Sequence, residues 1–206
     1  MSGEMSEKVD ELVEEEVVVV NFESRDEAAA AIKKKHGLEG ADMSGLDLSG
    51  LKITGINAEG MNLSDANLNN SVIAAANMEG INLANAQLNN AKISAGNFED
   101  ANFAGAQMQG AVISAANLEN SNFTGADLSE SKWFGVNVEG ADFTDASTTG
   151  AKSAAVSWSS AKVPPAETPE GIKSPSWMPA VFAVIVVFII VFILAKKRGQ
   201  VEVEID

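Results

Sequence analysis

Five glutamates, Glu59, Glu79, Glu99, Glu119 and Glu139, recur every twenty residues, each two positions after an asparagine: Asn57, Asn77, Asn97, Asn117 and Asn137. If twenty residues close one turn of a coil, these side chains stack into two adjacent columns. Carboxylates beside amide oxygens are hard ligands of the kind calcium takes, with Glu79, Glu99 and Glu119 at the centre as the candidate metal ligands. A column of carboxylates also attracts a basic protein surface, and the third reading is a solvated face that keeps the chain soluble. Neighbours about 4.8 Å apart repel by roughly 0.9 kcal/mol in water, less in salt, a cost a fold can carry unaided. Carboxylates at about 5 Å also match a retaining glycosidase, but a ladder produces that spacing automatically.

Other chemistry is sparse. The one histidine, His36, stands at the end of a predicted helix, where the C-terminal dipole explains it. The only arginines are Arg25 and Arg198, and cysteine is absent. A Ser-His-Asp triad, a histidine metal cluster, thiolate ligands and disulfides are therefore disfavoured, and no glycine-rich phosphate loop is present. The chain reads as non-enzymatic and needs no cofactor. Its net charge of -15 disfavours direct contact with nucleic acid and favours a basic partner or a cation.

What must position the columns is a repeat. From Leu38 to Phe143, every fifth residue is apolar, twenty-two in succession, including Leu63, Leu68, Ile73, Met78, Leu83 and Leu88. A small residue usually stands two positions earlier and Asn, Asp or Gln one earlier, as in Ala66-Asn67-Leu68 and Ala126-Asp127-Leu128. A period of five is neither helical nor that of a simple strand. A second period of twenty appears outside this frame, in the Glu and Asn columns and in Lys52, Val72, Lys92, Val112, Lys132 and Lys152. Residues 41–160 thus make six coils, a rod roughly 30 Å long at strand spacing.

Over residues 38 to about 160 these units resemble the A-(D/N)-L-x-x motif of the pentapeptide-repeat family. The resemblance implies an all-β fold, a right-handed quadrilateral parallel β-helix with four units per coil and the small and central residues pointing inward. It also implies a second function, because some members mimic DNA and modulate type II topoisomerases. Members often pair end to end through the C-terminal coil, which implies a homodimer; here Ser147, Thr148 and Ser153 depart from the apolar pattern and argue against one.

The ends need covers, since an open solenoid exposes its apolar lumen and unpaired strand groups. Residues 1–23 form an acidic tail, with a short strand expected over Val17 to Val20. Residues 24–37 should form a capping helix: Ser24-Arg25-Asp26-Glu27 fits a capping box, lysines fill the last turn and Gly37 can close it. Ala29, Ala30 and Ile32 should pack over Leu46, Leu51 and Ile56. Residues 161–176, with Pro164, Pro165, Pro169 and Pro175, read as a linker.

Residues 177–195 read as one C-terminal transmembrane helix. Thirteen of the sixteen residues 180–195 are Val, Ile, Leu or Phe, and nineteen residues span about 28 Å. Trp177 suits the interface, and Lys196, Lys197 and Arg198 stop the span before a short charged tail, 196–206. The basic stop places the rod outside, whereas the lack of a visible signal peptide favours a single-pass tail anchor with the rod in the cytosol. Finally, Trp133-Phe134 interrupts both an inward and an outward column, which makes the pair a candidate partner contact alongside Glu59 to Glu139.

Overall fold

A computed structural model describes residues 20–35 and 38–172. Seven parallel strands follow one another in chain order: β1 Lys52–Thr54, β2 Val72–Ala74, β3 Lys92–Ser94, β4 Val112–Ser114, β5 Lys132–Phe134, β6 Lys152–Ala154 and β7 Glu170–Gly171. Lys52 aligns with Val72 and Ile53 with Ile73, a register of twenty kept through β6. Parallel bridges with the same step run through Asp42 and Asn62, Asp47 and Asn67, and Asn57 and Asn77. Each coil therefore has four sides of five residues, and only the third side carries continuous strand.

Sequence dictates this path. Each coil hydrogen-bonds to the next, as in Met43 N to Asn62 O (2.8 Å) and Asn62 N to Ala41 O (2.8 Å). The chain turns at every fifth residue, where φ is positive: Gly45, Gly60 and Gly80, but also Asp65, Asn70 and Asn85. Those are the residue types that enter the left-handed region at least cost.

The lumen holds the apolar frame, with Leu63, Leu68, Ile73, Leu83 and Leu88 all fully buried. Towards the C-terminus aromatic rings replace aliphatics. Phe103, Phe123 and Phe143 stack face to face at 4.7 and 4.8 Å, so the ring column takes the coil spacing directly. Trp133 crosses Phe123 and Phe143 edge-on.

The N-terminal cover is α1, Arg25–Lys34. Ser24 caps it, its Oγ accepting from Glu27 N (3.3 Å). The helix closes earlier than the sequence suggests, at Lys35 (φ 58°) instead of Gly37, which lies outside the described residues with His36. The packing differs too: Ala28 and Ile32 are buried against the first coil, whereas Ala30 is exposed, because the helix presents the i, i+4 pair. Arg25 clamps the helix to the second side by donating to the carbonyls of Asp47 (2.7 Å) and Ser49 (2.8 Å). Of the expected Val17–Val20 strand only Val20 is described; Asn21 beside it bridges to Asp42.

The C-terminal half of the solenoid corrects the linker reading. Residues 161–172 continue the coil instead of leaving it: Val163 bridges to Asp142 and β7 pairs with β6. Register is lost here, the steps becoming twenty-one and then eighteen residues, which hides the last coil from a search at twenty. Pro165 and Pro169 are buried, which an end strand tolerates because its outer edge needs no N–H donor. Trp158, in the 3-10 turn Trp158–Ser160, closes the lumen edge-on against Trp133 and Phe143 (5.3 and 5.5 Å). The candidate anchor, 177–195 with Trp177, Lys196, Lys197 and Arg198, lies outside the described residues. Among the described residues no helix is long and apolar enough to cross a membrane.

Candidate functional site

The fourth side carries the Glu and Asn columns side by side. Asn77 Nδ2 donates to Asn57 Oδ1 (2.8 Å), Asn97 to Asn77 (3.1 Å), Asn117 to Asn97 (3.1 Å) and Asn137 to Asn117 (2.9 Å). Asn57 begins the ladder by donating to Glu39 Oε1 (2.8 Å). Amides so joined form one continuous ladder from coil to coil. Glu79 Oε2 accepts from Asn97 Nδ2 (3.2 Å), while Glu119 and Glu139 donate their backbone N–H groups to Asn117 and Asn137 (3.4 and 3.1 Å). Glu59 and Glu139 are exposed; Glu79, Glu99 and Glu119 are half-buried.

This geometry bears on the calcium reading. The Oδ1 atoms of Asn57, Asn77, Asn97 and Asn117 each accept an amide proton from the next coil. Among the described residues no three His, Cys, Asp or Glu side chains converge as a metal site, Glu79, Glu99 and Glu119 included.

Two further polar columns escaped the sequence reading. On the first side, Asn62, Asn82, Asn102 and Asn122 each donate to the residue twenty before, beginning at Asp42 (3.0 to 3.3 Å). The second side carries Asp47, Asn67, Gln87, Gln107 and Asp127 in bridge register. Their signal was present in the same period of twenty at positions 42 and 47. The carboxylates among them are acidified. The backbone N–H and hydroxyl of Ser44 hold Asp42 below the usual carboxylate range, and Ser49 and Thr144, hydroxyl first, do the same for Asp47 and Asp142. Burial pushes Asp127 up, but Ser129 and the Gln109 amide together carry it below its ordinary value.

Trp133 is not a surface residue. It is fully buried where Ile113 stands one coil earlier, and its Nε1 donates to Ser131 Oγ (2.8 Å). The indole fills the aromatic lumen and still finds an acceptor, so it is unavailable to a partner. Phe134, the outward neighbour, is half-buried between Ser114 and Ala154.

A model of pentapeptide repeats matches eight copies, over residues 52–85, 62–100, 81–120 and 121–152. The chain belongs to the pentapeptide-repeat family. Among solved structures, this pentapeptide-repeat protein is similar to HetL, involved in heterocyst differentiation regulation in the cyanobacterium Nostoc sp. strain PCC 7120. Identity is 17%, covering 66% of this chain and 70% of HetL, with a TM-score of 0.53. Rfr23 from the cyanobacterium Cyanothece 51142 is 21% identical over 57% of this chain and 90% of its own (TM-score 0.45). QnrB1, a plasmid-mediated fluoroquinolone resistance protein, is 22% identical over 71% and 83% (TM-score 0.43). At such identities the likeness to HetL shows the fold alone. No curated protein matches this chain.

Proposed function

We propose that this pentapeptide-repeat protein is a non-enzymatic interaction rod that binds a basic protein partner through the Glu59 to Glu139 column and is held at a membrane, on its cytosolic side, by residues 177–195. The observation that carries the reading is the asparagine ladder, which runs at coil spacing beside the glutamate row and donates to Glu79 through Asn97. A preordered row of like charge binds an oppositely charged chain with little ordering cost. The anchor rests on the apolar run of residues 180–195 and its basic stop. The topoisomerase reading has less support, because a DNA mimic should be anionic all round and the third side carries Lys52, Lys92, Lys132 and Lys152.

One experiment tests both parts. The full chain is mixed with phosphatidylcholine vesicles and a fluorescent octalysine peptide, and the vesicles are floated. Protein and peptide should rise together, and the triple variant E79Q/E99Q/E119Q should float while losing at least about tenfold in peptide affinity. Protein left at the bottom contradicts the anchor; undiminished peptide binding by the variant contradicts the column. Which side the rod faces follows from protease accessibility in intact cells, cytosolic placement predicting protection.

A further inference from the structure

The third side differs in sign from the rest of the rod. Its two outward columns are Lys52, Val72, Lys92, Val112, Lys132, Lys152 and Thr54, Ala74, Ser94, Ser114, Phe134, Ala154. Neither contains a carboxylate. All four lysines of residues 41–160 stand here, while the Asp and Glu residues of that stretch occupy the other three sides and the corners. Arg25–Asp47 and Lys162–Asp142 are the ion pairs among the described residues, so these four ammonium groups are not neutralised by neighbours.

The basic face continues into a cavity at the N-terminal end. A half-open cavity of about 360 Å³ lies between the end of α1 and β1, lined by Lys33, Lys35, Lys52 and Thr54 together with Ile32 and Leu51. Lys35 crosses the corner at Gly55, where a Cβ would lie 3.0 Å from its Nζ. Along the rest of the face, four corners carry alanine at φ 51–55°: Ala75, Ala95, Ala115 and Ala155. Alanine is strained there, where glycine or asparagine is not, and it leaves a rim of methyl groups.

We propose that this face docks an acidic, extended segment of a protein partner, with one carboxylate seated in the Lys33–Lys35–Lys52 cavity. The occupant must be anionic to match unneutralised lysines and narrow to avoid the carboxylates on either side, the Glu column on one and Glu130 on the other. A planar anionic membrane would meet those carboxylates within a Debye length of about 8 Å. A second copy is disfavoured by area: a face about 30 Å long and one three-residue strand, about 10 Å, wide falls well short of the roughly 800 Å² per partner that stable pairs bury. Lys52, Lys92 and Lys132 are two coils apart, about 9.6 Å, which three residues of a polyproline II chain, about 9.3 Å, nearly match. Carboxylates at every third residue therefore meet successive lysines, and the residues between them meet Val72, Val112 and Phe134.

The test uses the full chain and a fluorescent (Glu-Pro-Pro)4 peptide at low ionic strength. Saturable, salt-sensitive binding is expected, weakened at least about tenfold in K92E/K132E and unchanged in K162E, whose lysine pairs with Asp142 on another side. Circular dichroism melting of all three proteins should coincide, because the substituted side chains are exposed. Equal binding by K92E/K132E overturns the proposal. So does failure to bind the peptide while phosphatidylserine vesicles bind in a Lys92- and Lys132-dependent way, which assigns the face to lipid. A dimer in analytical ultracentrifugation that K92E/K132E abolishes, with no peptide binding, assigns it to a second copy and equally overturns the proposal.

Discussion

Trp133 shows what one position of the frame decides. Four isoleucines precede it in the same inward column, Ile53, Ile73, Ile93 and Ile113, and its indole meets Phe123, Phe143 and Trp158 in the lumen. The period of five was enough to assign it inward. Its neighbour Phe134 made the pair look like a surface break, because size alone does not reveal that the lumen around residues 98–143 has been rebuilt from rings. Removing a fully buried aromatic costs about 3–5 kcal/mol. Trp133→Ala should therefore lower the unfolding free energy by that amount in urea denaturation, and a loss under about 1 kcal/mol would contradict its place in the core.

Among the elements, the repeat was legible and its two ends were only partly so. Periodicity reports contacts made many times over, and the coils at 41–160 repeat theirs at twenty. Caps are made once. Ser24 announces the start of α1 because its capping chemistry is local, whereas Lys35 closing the helix in the left-handed region and Arg25 holding Asp47 and Ser49 are set by the coil beneath. The C-terminal end was hidden by its prolines, which argue against a central strand but not against the terminal β7, joined to β6 through Glu170 N to Ala151 O (3.1 Å) and Ile172 N to Ser153 O (2.8 Å). The cap matters energetically because Ile32 is buried over the first coil. Ile32→Asp removes that apolar contact and charges a buried position, and should lower the melting temperature by several degrees, in line with a cost of about 1–3 kcal/mol. An unchanged melting curve would mean that α1 is dispensable to the solenoid.

Taken whole, the molecule is a rod whose sides carry different charge, and the same twenty-residue step produces every column. The lumen specifies the solenoid and is silent about partners. The outward positions separate into asparagine ladders, a glutamate row and a lysine side, and the glutamate row, the Asn57 to Asn137 column beside it and the lysine column all stood out in the sequence. The second-side column, Asp47, Asn67, Gln87, Gln107 and Asp127, was hidden because its residue type changes from coil to coil although its bridges are as regular; Asn62 to Asn122 on the first side keep one type and were legible at the same step of twenty. Net charge alone would draw a cation to any acidic side, so the central claim is that the Glu column binds as a row. Carboxyl footprinting of the full chain, with carbodiimide labelling read by mass spectrometry with and without octalysine, separates the two. Protection concentrated at Glu79, Glu99 and Glu119, with Asp65, Glu130 and Asp145 labelled as before, is the predicted result; equal protection of carboxylates on all sides would contradict it.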